Sequence, residues 1–365
     1  MPVQEQVAAP WPSVLARELR DVFEVRERWT HDGEVRFRGA FLVEPDEAVA
    51  ILSGRLEPFG YVPLVQSPRE LALVRYAYYA PAPARRAWAG WPLNLALLLA
   101  TALTTLFVGA LMEGADPLAS PLNLLVGGPF AGSLLLILGF HELGHYLAAR
   151  AYGVQVSLPY FIPLPLPPMG TMGAIIRMRS PIPNRKVLFD IGIAGPLLGL
   201  VFALPILALG LMLSPVKPLT GVALQEGNSL AYLFLKWLIK GPIAPGHDVM
   251  LHPLALAGWL GLFVTALNLM PLSQLDGGHL VYAVLGRRHR VAVWLFLGVL
   301  VVLYLVSRWE GWLVWIVLAI GLGLRHPPPL DDRTPLDPAR RAFAVLALGL
   351  LAVLLTPLPF AVYEF

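Results

Sequence analysis

The chain has 365 residues, of which 57% are hydrophobic and 14% are charged, and its mean hydropathy is +0.66. A soluble enzyme of this length needs more charged surface, so the composition predicts a polytopic α-helical membrane protein. The sequence contains no cysteine. This excludes a disulfide framework and a thiolate metal site, and it leaves imidazole and carboxylate groups as the candidate metal ligands.

The basic character of the chain, with 27 Lys and Arg against 24 Asp and Glu, does not predict nucleic-acid binding. Many of the arginines flank apolar runs, where they act as topology signals. The lipid bilayer is therefore an expected partner and nucleic acid is not. The oligomeric state stays open.

Residues 1–84 carry the densest charge in the chain and no apolar run long enough to span a membrane, which predicts a small soluble α+β domain. The expected elements are a helix from Ser13 to about Phe23, a strand over Val35–Val43, a helix that opens at Asp46, and strands over Tyr61–Val65 and Leu71–Tyr79. No cluster there resembles a catalytic site, so recognition, regulation and simple stabilisation stay open as roles. The segment also lacks the features of a cleavable signal or transit peptide.

A linker at residues 85–90, which contains Arg85 and Arg86, precedes the first of seven apolar runs. The runs lie at about Trp91–Met112, Pro121–Arg150, Val187–Leu213, His252–Leu272, Val291–Ser307, Trp309–Leu324 and Ala342–Val362. Runs of this length and apolarity predict about six to seven transmembrane helices.

The orientation follows from the basic residues of the connecting segments. With the N-terminus on the cytoplasmic side, the inner segments hold most of these residues, among them Arg150, Arg185 and Arg287, and the outer segments hold few. The sequence therefore predicts a multi-pass protein of the cell (inner or plasma) membrane with a cytoplasmic N-terminus. The end of the second run then lies in the cytoplasmic half of the bilayer.

That second run contains the sequence His141-Glu142-Leu143-Gly144-His145. Two histidines four residues apart on a helix project from the same face and can hold one zinc ion, and Glu142 can take a proton from water at the metal. The alternative is a pair of buried histidines that hydrogen-bond the backbone or a hydroxyl group. Ionisable groups inside a membrane are costly without a partner, a cavity or a metal, which favours the metal site.

The apolar segment Leu158–Ser180 is too rich in proline to span the membrane as a helix, so we expect it to re-enter the membrane or lie against the protein. Its second half alternates like a strand or hairpin. An edge strand beside the metal could pair with an unwound substrate backbone, and the candidate substrate-binding residues are Gly170, Thr171, Gly173 and Ala174. A connecting loop with glycines at its turns is the alternative.

A third candidate ligand, Asp276, follows the fourth apolar run. Pro271 ends that helix and Gly277 loosens the chain, so Asp276 can turn back toward the second run. Two histidines, one aspartate and water form a catalytic zinc set. The alternative for Asp276 is a helix-terminal acid in a turn. We expect Asp190 to be a structural acid, and His279 to support the site or lie on the surface instead of binding the metal.

The paired motifs His141-Glu142-x-x-His145 and Asn268-x-x-Pro271 with Leu275-Asp276-Gly277 resemble those of the site-2 protease family of intramembrane zinc metalloproteases. The resemblance covers about residues 91–285, the expected protease core, and leaves 286–365 as additional transmembrane helices. It implies that His141, His145 and Asp276 bind Zn²⁺, that Glu142 is general base and then proton donor, and that Asn268 orients substrate or stabilises the oxyanion. It also implies that the partners are transmembrane protein substrates.

The segment Ser214–Leu251 is too short to hold the PDZ domain that many bacterial members of this family carry. The chain therefore resembles the prokaryotic and plastid branch without PDZ. A substrate helix must unwind before its carbonyl groups can react, so we expect helix-breaking residues in substrates. A metal transporter and a non-catalytic metal-binding scaffold are the alternative functions. A transporter predicts a path of ligands across several spans, and a scaffold leaves Glu142 unexplained.

Overall fold

The computed structural model describes residues 12–31, 34–56, 59, 61–75, 90–219, 221–272, 274–321 and 326–364. The chain divides into two compact units. The first comprises Met1–Ala84 with the two short segments Arg179–Val187 and Pro328–Pro335, and the second comprises the remaining residues.

The first unit is a small α+β fold built on one antiparallel sheet. Its elements are α1 (Pro12–Glu18), β1 (Phe23–His31), β2 (Glu34–Phe41), α2 (Pro45–Leu56), β3 (Tyr61–Ser67) and β4 (Glu70–Arg75). The strand order is β1-β2-β4-β3. Alternate residues of β4 point to opposite faces of the sheet, as the pleat requires. Leu71 and Leu73 join the core formed with α1 and α2, and Ala72 and Val74 belong to a second cluster on the other face.

The two short segments extend this sheet at β3. Asp331 forms parallel bridges with Val65 of β3 and with Asn184. Leu330 packs against the second cluster, and the guanidinium of Arg185 donates to Asp332 at 2.8 Å with both side chains mostly buried. The sheet is therefore completed by residues that lie far from it along the chain.

Two expectations for this region need correction. The first predicted helix does not reach Phe23, because α1 ends at Glu18 and Phe23 begins a strand that sequence analysis missed. Pairing of β1 with β2, with Phe23 opposite Phe41, overrides the helical pattern. The predicted strand over Leu71–Tyr79 begins as β4, and its last residues lie outside the described part of the chain.

The second unit is mainly helical. Its helices are α3 (Trp91–Met112), α4 (Gly128–Ala151), α5 (Arg185–Leu213, which starts in the first unit), α6 (Leu230–Lys240), α7 (Pro253–Asn268), α8 (Asp276–Leu285), α9 (His289–Ser307), α10 (Gly311–Gly321) and α11 (Pro338–Leu354). Its strands are β5 (Tyr160–Pro163), β6 (Thr171–Ile175), β7 (Val216–Pro218), β8 (Val222–Glu226), β9 (His247–Val249) and β10 (Phe360–Glu364).

Four helical segments of the described chain are long and apolar enough to cross a membrane by length and composition: α3, Pro121–Ala151, α5 and α9. Pro121–Ala151 consists of a 3₁₀ segment followed by α4. The apolar helices α7 and α10 are shorter, with 16 and 11 residues. These helices support a membrane-embedded fold.

The predicted last run, Ala342–Val362, is not one helix. Helix α11 ends at Leu354, and Phe360–Glu364 forms β10, which pairs with β8. Pro357 and Pro359 explain the change, because proline removes a backbone donor and clashes with the preceding helical turn. The end of the chain is thereby attached to the segment between α5 and α7.

Close helix contacts depend on glycine at two places in the core. A Cβ atom at Gly258 of α7 would lie 2.6 Å from the backbone of Leu207 in α5, and one at Gly210 would lie 2.1 Å from the amide nitrogen of Ala255. Helices α5 and α7 therefore pack backbone to backbone. Together with α4, they form the framework on which the site is built.

Candidate metal centre and active site

Three predicted ligand side chains meet in the interior of the second unit. The Nε2 atoms of His141 and His145 lie 3.2 Å apart. Each is also 3.2 Å from a different carboxylate oxygen of Asp276. All three ligand atoms fall within 4.8 Å of one another, and both histidines are buried. The structure thus brings together two motifs that are distant in the sequence, since Asp276 follows His141 by 135 residues.

The tautomer of His145 is set by its neighbour on α5. Its Nδ1 atom lies 2.7 Å from the carbonyl oxygen of Ile191, which can only accept a hydrogen bond. Nδ1 must therefore carry the proton, and Nε2 of the neutral ring keeps its lone pair for the ligand cluster. The carbonyl group of Ile191 on α5 thus holds His145 in the tautomer that can bind a metal.

The donor set fits a divalent cation. Asp276 Oδ2 is buried and accepts no hydrogen bond from any described residue, although it is 3.2 Å from His141 Nε2. A buried carboxylate oxygen without a partner is costly. A metal ion between the two imidazoles and the carboxylate removes that cost, and imidazole with carboxylate is a set that zinc accepts.

The local turn that delivers Asp276 depends on the sequence after α7. Helix α7 ends at Asn268, and α8 begins at Asp276 after the extended residue Leu275. A Cβ atom at Gly277 would lie 2.0 Å from the carbonyl oxygen of Leu269. Glycine is therefore required where α8 passes the end of α7, and Pro271 prevents α7 from continuing.

Glycines on α5 allow this helix to approach the ligands closely. A Cβ atom at Gly195 would lie 2.1 Å from His145 Nε2, and one at Gly199 would lie 3.3 Å from the His141 ring. On α4, a Cβ atom at Gly144 would lie 2.4 Å from the carbonyl oxygen of Ala194. The small glycines of α5 therefore permit close packing directly at the ligands.

Glu142 lies beside the ligand cluster and is only 6% exposed. The backbone N–H of Ile176, which follows directly after β6, faces its carboxylate. The hairpin therefore contacts the predicted general base. The amide nitrogen of Asn268 lies 3.3 Å from His141 Nε2, so this side chain also reaches the ligand cluster.

The candidate substrate-binding residues lie in the hairpin formed by β5 and β6. Gly170 packs against α3, where the hydroxyl of Thr104 donates to its carbonyl oxygen at 2.7 Å. The Thr171 hydroxyl donates to the carbonyl oxygen of Ile162 at 2.8 Å and so ties the two strands. Gly173 has a φ of 96°, and Ala174 is paired with Phe161. Gly170 and Thr171 thus hold the hairpin, and substrate binding by β6 stays a prediction.

Asp190 and His279 are not among the side chains that could hold the ion, and each has other partners. Asp190 accepts two hydrogen bonds from Arg340, at 2.8 and 2.6 Å, and one from the Tyr152 hydroxyl, so it is a structural acid. His279 Nδ1 lies 2.6 Å from Nε2 of His326. His326, which also stacks on Tyr282, was missed because no spacing pattern connects it with the site. The contacts of Ile176 and Ile191 were missed because they use backbone atoms.

Comparison with known proteins gives a consistent result. Residues 129–305 match the family model of Peptidase family M50. The chain is 34% identical over 236 residues to "Probable zinc metalloprotease EGY1, chloroplastic" of Arabidopsis thaliana. The aligned region covers 63% of this chain and 42% of that protein. The chain is 32% identical over 250 residues to "Probable zinc metalloprotease EGY2, chloroplastic" of Oryza sativa subsp. indica, which covers 66% and 45%.

A further relative, "Probable zinc metalloprotease EGY2, chloroplastic" of Arabidopsis thaliana, is 30% identical over 270 residues, covering 71% of this chain and 48% of that protein. The matched region spans less than half the length of these curated relatives. The M50 match includes both histidines and Asp276, and the apolar helices agree with a membrane-embedded family. Residues 129–305 are thus similar to peptidase family M50, the site-2 protease family.

Proposed function

We propose that the chain is an intramembrane zinc metalloprotease that hydrolyses peptide bonds within or near transmembrane segments of other membrane proteins. The observation that carries the proposal is the convergence of His141, His145 and Asp276 within 4.8 Å, beside the buried Glu142. The names of the relatives support the metal and the reaction class. Regulated intramembrane proteolysis is the process that such an activity serves.

The chemistry divides between the metal and the chain. His141, His145 and Asp276 would hold the zinc ion, which would acidify a water molecule and polarise a peptide carbonyl group. Glu142 takes the proton from this water and delivers it to the leaving amine. The N–H of Ile176 faces the Glu142 carboxylate, and the carbonyl group of Ile191 holds the His145 ring in the ligand tautomer.

Asn268 is the candidate donor to the developing oxyanion. Its amide group ends 3.3 Å from His141 Nε2, at the edge of the ligand cluster. A fixed amide donor aimed at the position where negative charge develops stabilises the transition state more than the ground state. Asn268 can equally orient the substrate carbonyl group, since both roles use the same N–H donor.

The substrate is expected to bind as an extended strand beside β6. The Ile176 N–H at the end of β6 contacts the proposed base, so a backbone paired along Gly173 and Ala174 runs toward the ligands. A transmembrane helix must unwind to pair in this way, because its backbone groups are otherwise hydrogen-bonded internally. Helix-breaking residues in the substrate lower that cost.

The proposed topology has six to seven membrane-spanning helices. It adds α7, α10 and α11 to the four long apolar segments. By the distribution of basic residues, the N-terminus is cytoplasmic and the metal centre lies in the cytoplasmic half of a cell membrane. The relatives quoted above are chloroplastic by their names, so the membrane of residence is part of the proposal.

A metal transporter is less well supported than a protease. Within the described part of the chain, His141, His145 and Asp276 form the one group of three or more side chains that could hold an ion. Transport across a bilayer requires successive sites or a polar path. A single site with a carboxylate positioned as a base matches hydrolysis better.

The test is cleavage of a model single-span substrate by the purified chain in detergent, with bound metal measured on the same samples. Glu142→Gln removes the base and keeps the side-chain volume, and Glu310→Gln at an exposed position is the matched control. We expect cleavage by the wild type and Glu310→Gln. We expect no cleavage by Glu142→Gln or after chelation, with zinc retained in Glu142→Gln. Equal cleavage by Glu142→Gln would refute the proposed mechanism.

A further inference from the structure

Helix α6 has its polarity reversed relative to a helix on the surface of a soluble protein. Five large apolar side chains, each between 45% and 63% exposed, form what we term the outer face of α6. They are Leu230, Leu233, Phe234, Trp237 and Leu238. Their spacing of three and four residues places them on one side of the helix. The apolar stripe of α6 thus points away from the protein.

The opposite side of α6 is polar and buried. Tyr232 is fully buried and its hydroxyl donates to Glu226 of β8 at 2.6 Å. Lys236, only 8% exposed, donates to Asp248 of β9 at 2.5 Å and lies 3.9 Å from Glu226. These bonds fix the rotation of α6, because turning the apolar side chains inward would separate Lys236 from both carboxylates.

The position of α6 is also informative. The Lys240 ammonium group donates to the carbonyl oxygen of Met212 at 3.3 Å, at the end of the candidate span α5. Met212 and Leu213 are 67% and 54% exposed, so the apolar surface of α5 continues onto the outer face of α6. Gly195, which contacts the ligands, lies 17 residues before Met212, or about 25 Å along the helix. Helix α6 is therefore at the far end of α5 from the metal centre.

Helix α6 is short and cannot extend, because Ser229 caps its start and Gly241, with a φ of 67°, ends it, which excludes a transmembrane position. Its 11 residues extend over about 16 Å, and a bilayer core is about 30 Å thick. Trp237 on the outer face and Lys240 at the C-terminal end are residue types that prefer the boundary between acyl chains and headgroups. A short helix with Trp, Phe and Leu on one side is typical of helices that lie in this boundary.

We propose that α6 is an interfacial helix whose outer face lies in the lipid of the leaflet opposite the metal centre. The partner of this surface is the boundary between the acyl chains and the headgroups. The salt bridge from Lys236 to Asp248 and the bond from Tyr232 to Glu226 hold the helix in this orientation. The inference requires a membrane-embedded chain and does not depend on proteolytic activity.

The absence of cysteine makes a labelling experiment direct. Single cysteines replace Leu233 and Trp237 on the outer face of α6, carry a nitroxide spin label, and are measured in the full chain in phospholipid vesicles. Collision rates with oxygen, which concentrates in lipid, and with a water-soluble nickel chelate are compared. Val201→Cys, at a 61% exposed position in the middle of α5, is the lipid control. Ala244→Cys, at an exposed loop position, is the water control.

We expect oxygen to exceed the nickel chelate at Leu233→Cys and Trp237→Cys, with a depth about 5–10 Å below the headgroups and shallower than Val201→Cys. Nickel accessibility equal to that of Ala244→Cys would overturn the proposal by putting the outer face in water. Low accessibility to both reagents would also overturn it, because protein would then cover the face. Bound metal in each labelled sample identifies variants that have not folded.

Discussion

The Nδ1 atom of His145 lies 2.7 Å from the carbonyl oxygen of Ile191, and this hydrogen bond couples the second ligand to the backbone of α5. The approach of α5 that makes the bond possible also brings Gly195 against the same ring, where a Cβ atom would lie 2.1 Å from Nε2. The metal centre therefore depends on a residue that has no ligand atom.

Gly195→Ala is expected to abolish metal binding, because the added methyl group occupies the space of the His145 ligand nitrogen. Metal content per purified chain, measured after dialysis, checks this. Gly132→Ala, in α4 with nothing within 4 Å of the new Cβ atom, is the control and should bind metal normally. It should also be stabilised by up to about 1 kcal/mol, since alanine favours helix. Full metal content in Gly195→Ala would show that α5 can move away from the site.

Gly173→Ala is expected to lower the rate of substrate cleavage without loss of metal. Gly173 has a φ of 96° with nothing within 4 Å of a new Cβ atom, so the change strains only the backbone of β6, at a cost of about 1–2 kcal/mol. Gly153, with a φ of 72° and equally open space, provides a matched control outside the hairpin. Equal cleavage rates for Gly173→Ala and Gly153→Ala would argue against pairing of the substrate with β6.

Arg340→Lys is expected to weaken the attachment of α11 to α5. The planar guanidinium of Arg340 donates to both oxygens of Asp190, at 2.8 and 2.6 Å. A lysine ammonium group cannot reproduce this two-bond geometry. We expect a loss of about 1–2 kcal/mol, read as a lower thermal unfolding midpoint in detergent. Arg341→Lys, at the next and exposed position, should leave the midpoint unchanged, and an equal shift in both variants would contradict this role.

The first unit is expected to lose stability in acid through Asp331. Burial raises the pKa of this carboxyl group, but hydrogen bonds from the Thr334 hydroxyl and the backbone N–H groups of Arg333 and Thr334 outweigh burial and hold it below its ordinary 3.8. Because the pKa is lowered in the folded state, the stabilisation is complete above the unfolded value. It is lost as the pH falls below about 4 and through the folded pKa.

Hydrogen exchange at the amides of Leu330 and Asp331, which donate to Ile182 and Pro183 at 2.9 and 2.8 Å, reports this loss at pH 5 and pH 3. Asp331→Asn removes the charge and should expose these amides at both pH values, with a cost of about 1–3 kcal/mol. An acid response of the same size in Asp331→Asn would assign the effect to another group.

The ligand motifs could be predicted because their chemistry is local. His141, Glu142 and His145 lie within two adjacent helical turns, and Asp276 lies between Pro271, which ends α7, and two glycines. Such short patterns carry both the residue types and their geometry. The partners of these residues could not be predicted, because Ile176 and Ile191 act through backbone atoms and Gly195 through the lack of a side chain.

The fold was predictable to a similar degree. Long apolar runs mark α3, α4, α5 and α9 without reference to their packing. Strand β1 was missed because its sequence alternates charged residues with few apolar ones, and only its pairing with β2 makes it a strand. The end of α11 was misjudged although Pro357 and Pro359 mark it. The reversed polarity of α6 could not be predicted, because it depends on the contact between Lys236 and Asp248, which only the structure shows.

The composite sheet of the first unit has a consequence for biosynthesis. Strand β3 is made early, but Asp331, which bridges it to Asn184, follows every long apolar helix of the described chain. The edge of β3 therefore lacks this partner while those helices are inserted into the membrane. Unpaired strand edges promote aggregation and call for chaperones during synthesis. The strands of this unit thus leave the ribosome before those helices, but the unit finishes folding after them.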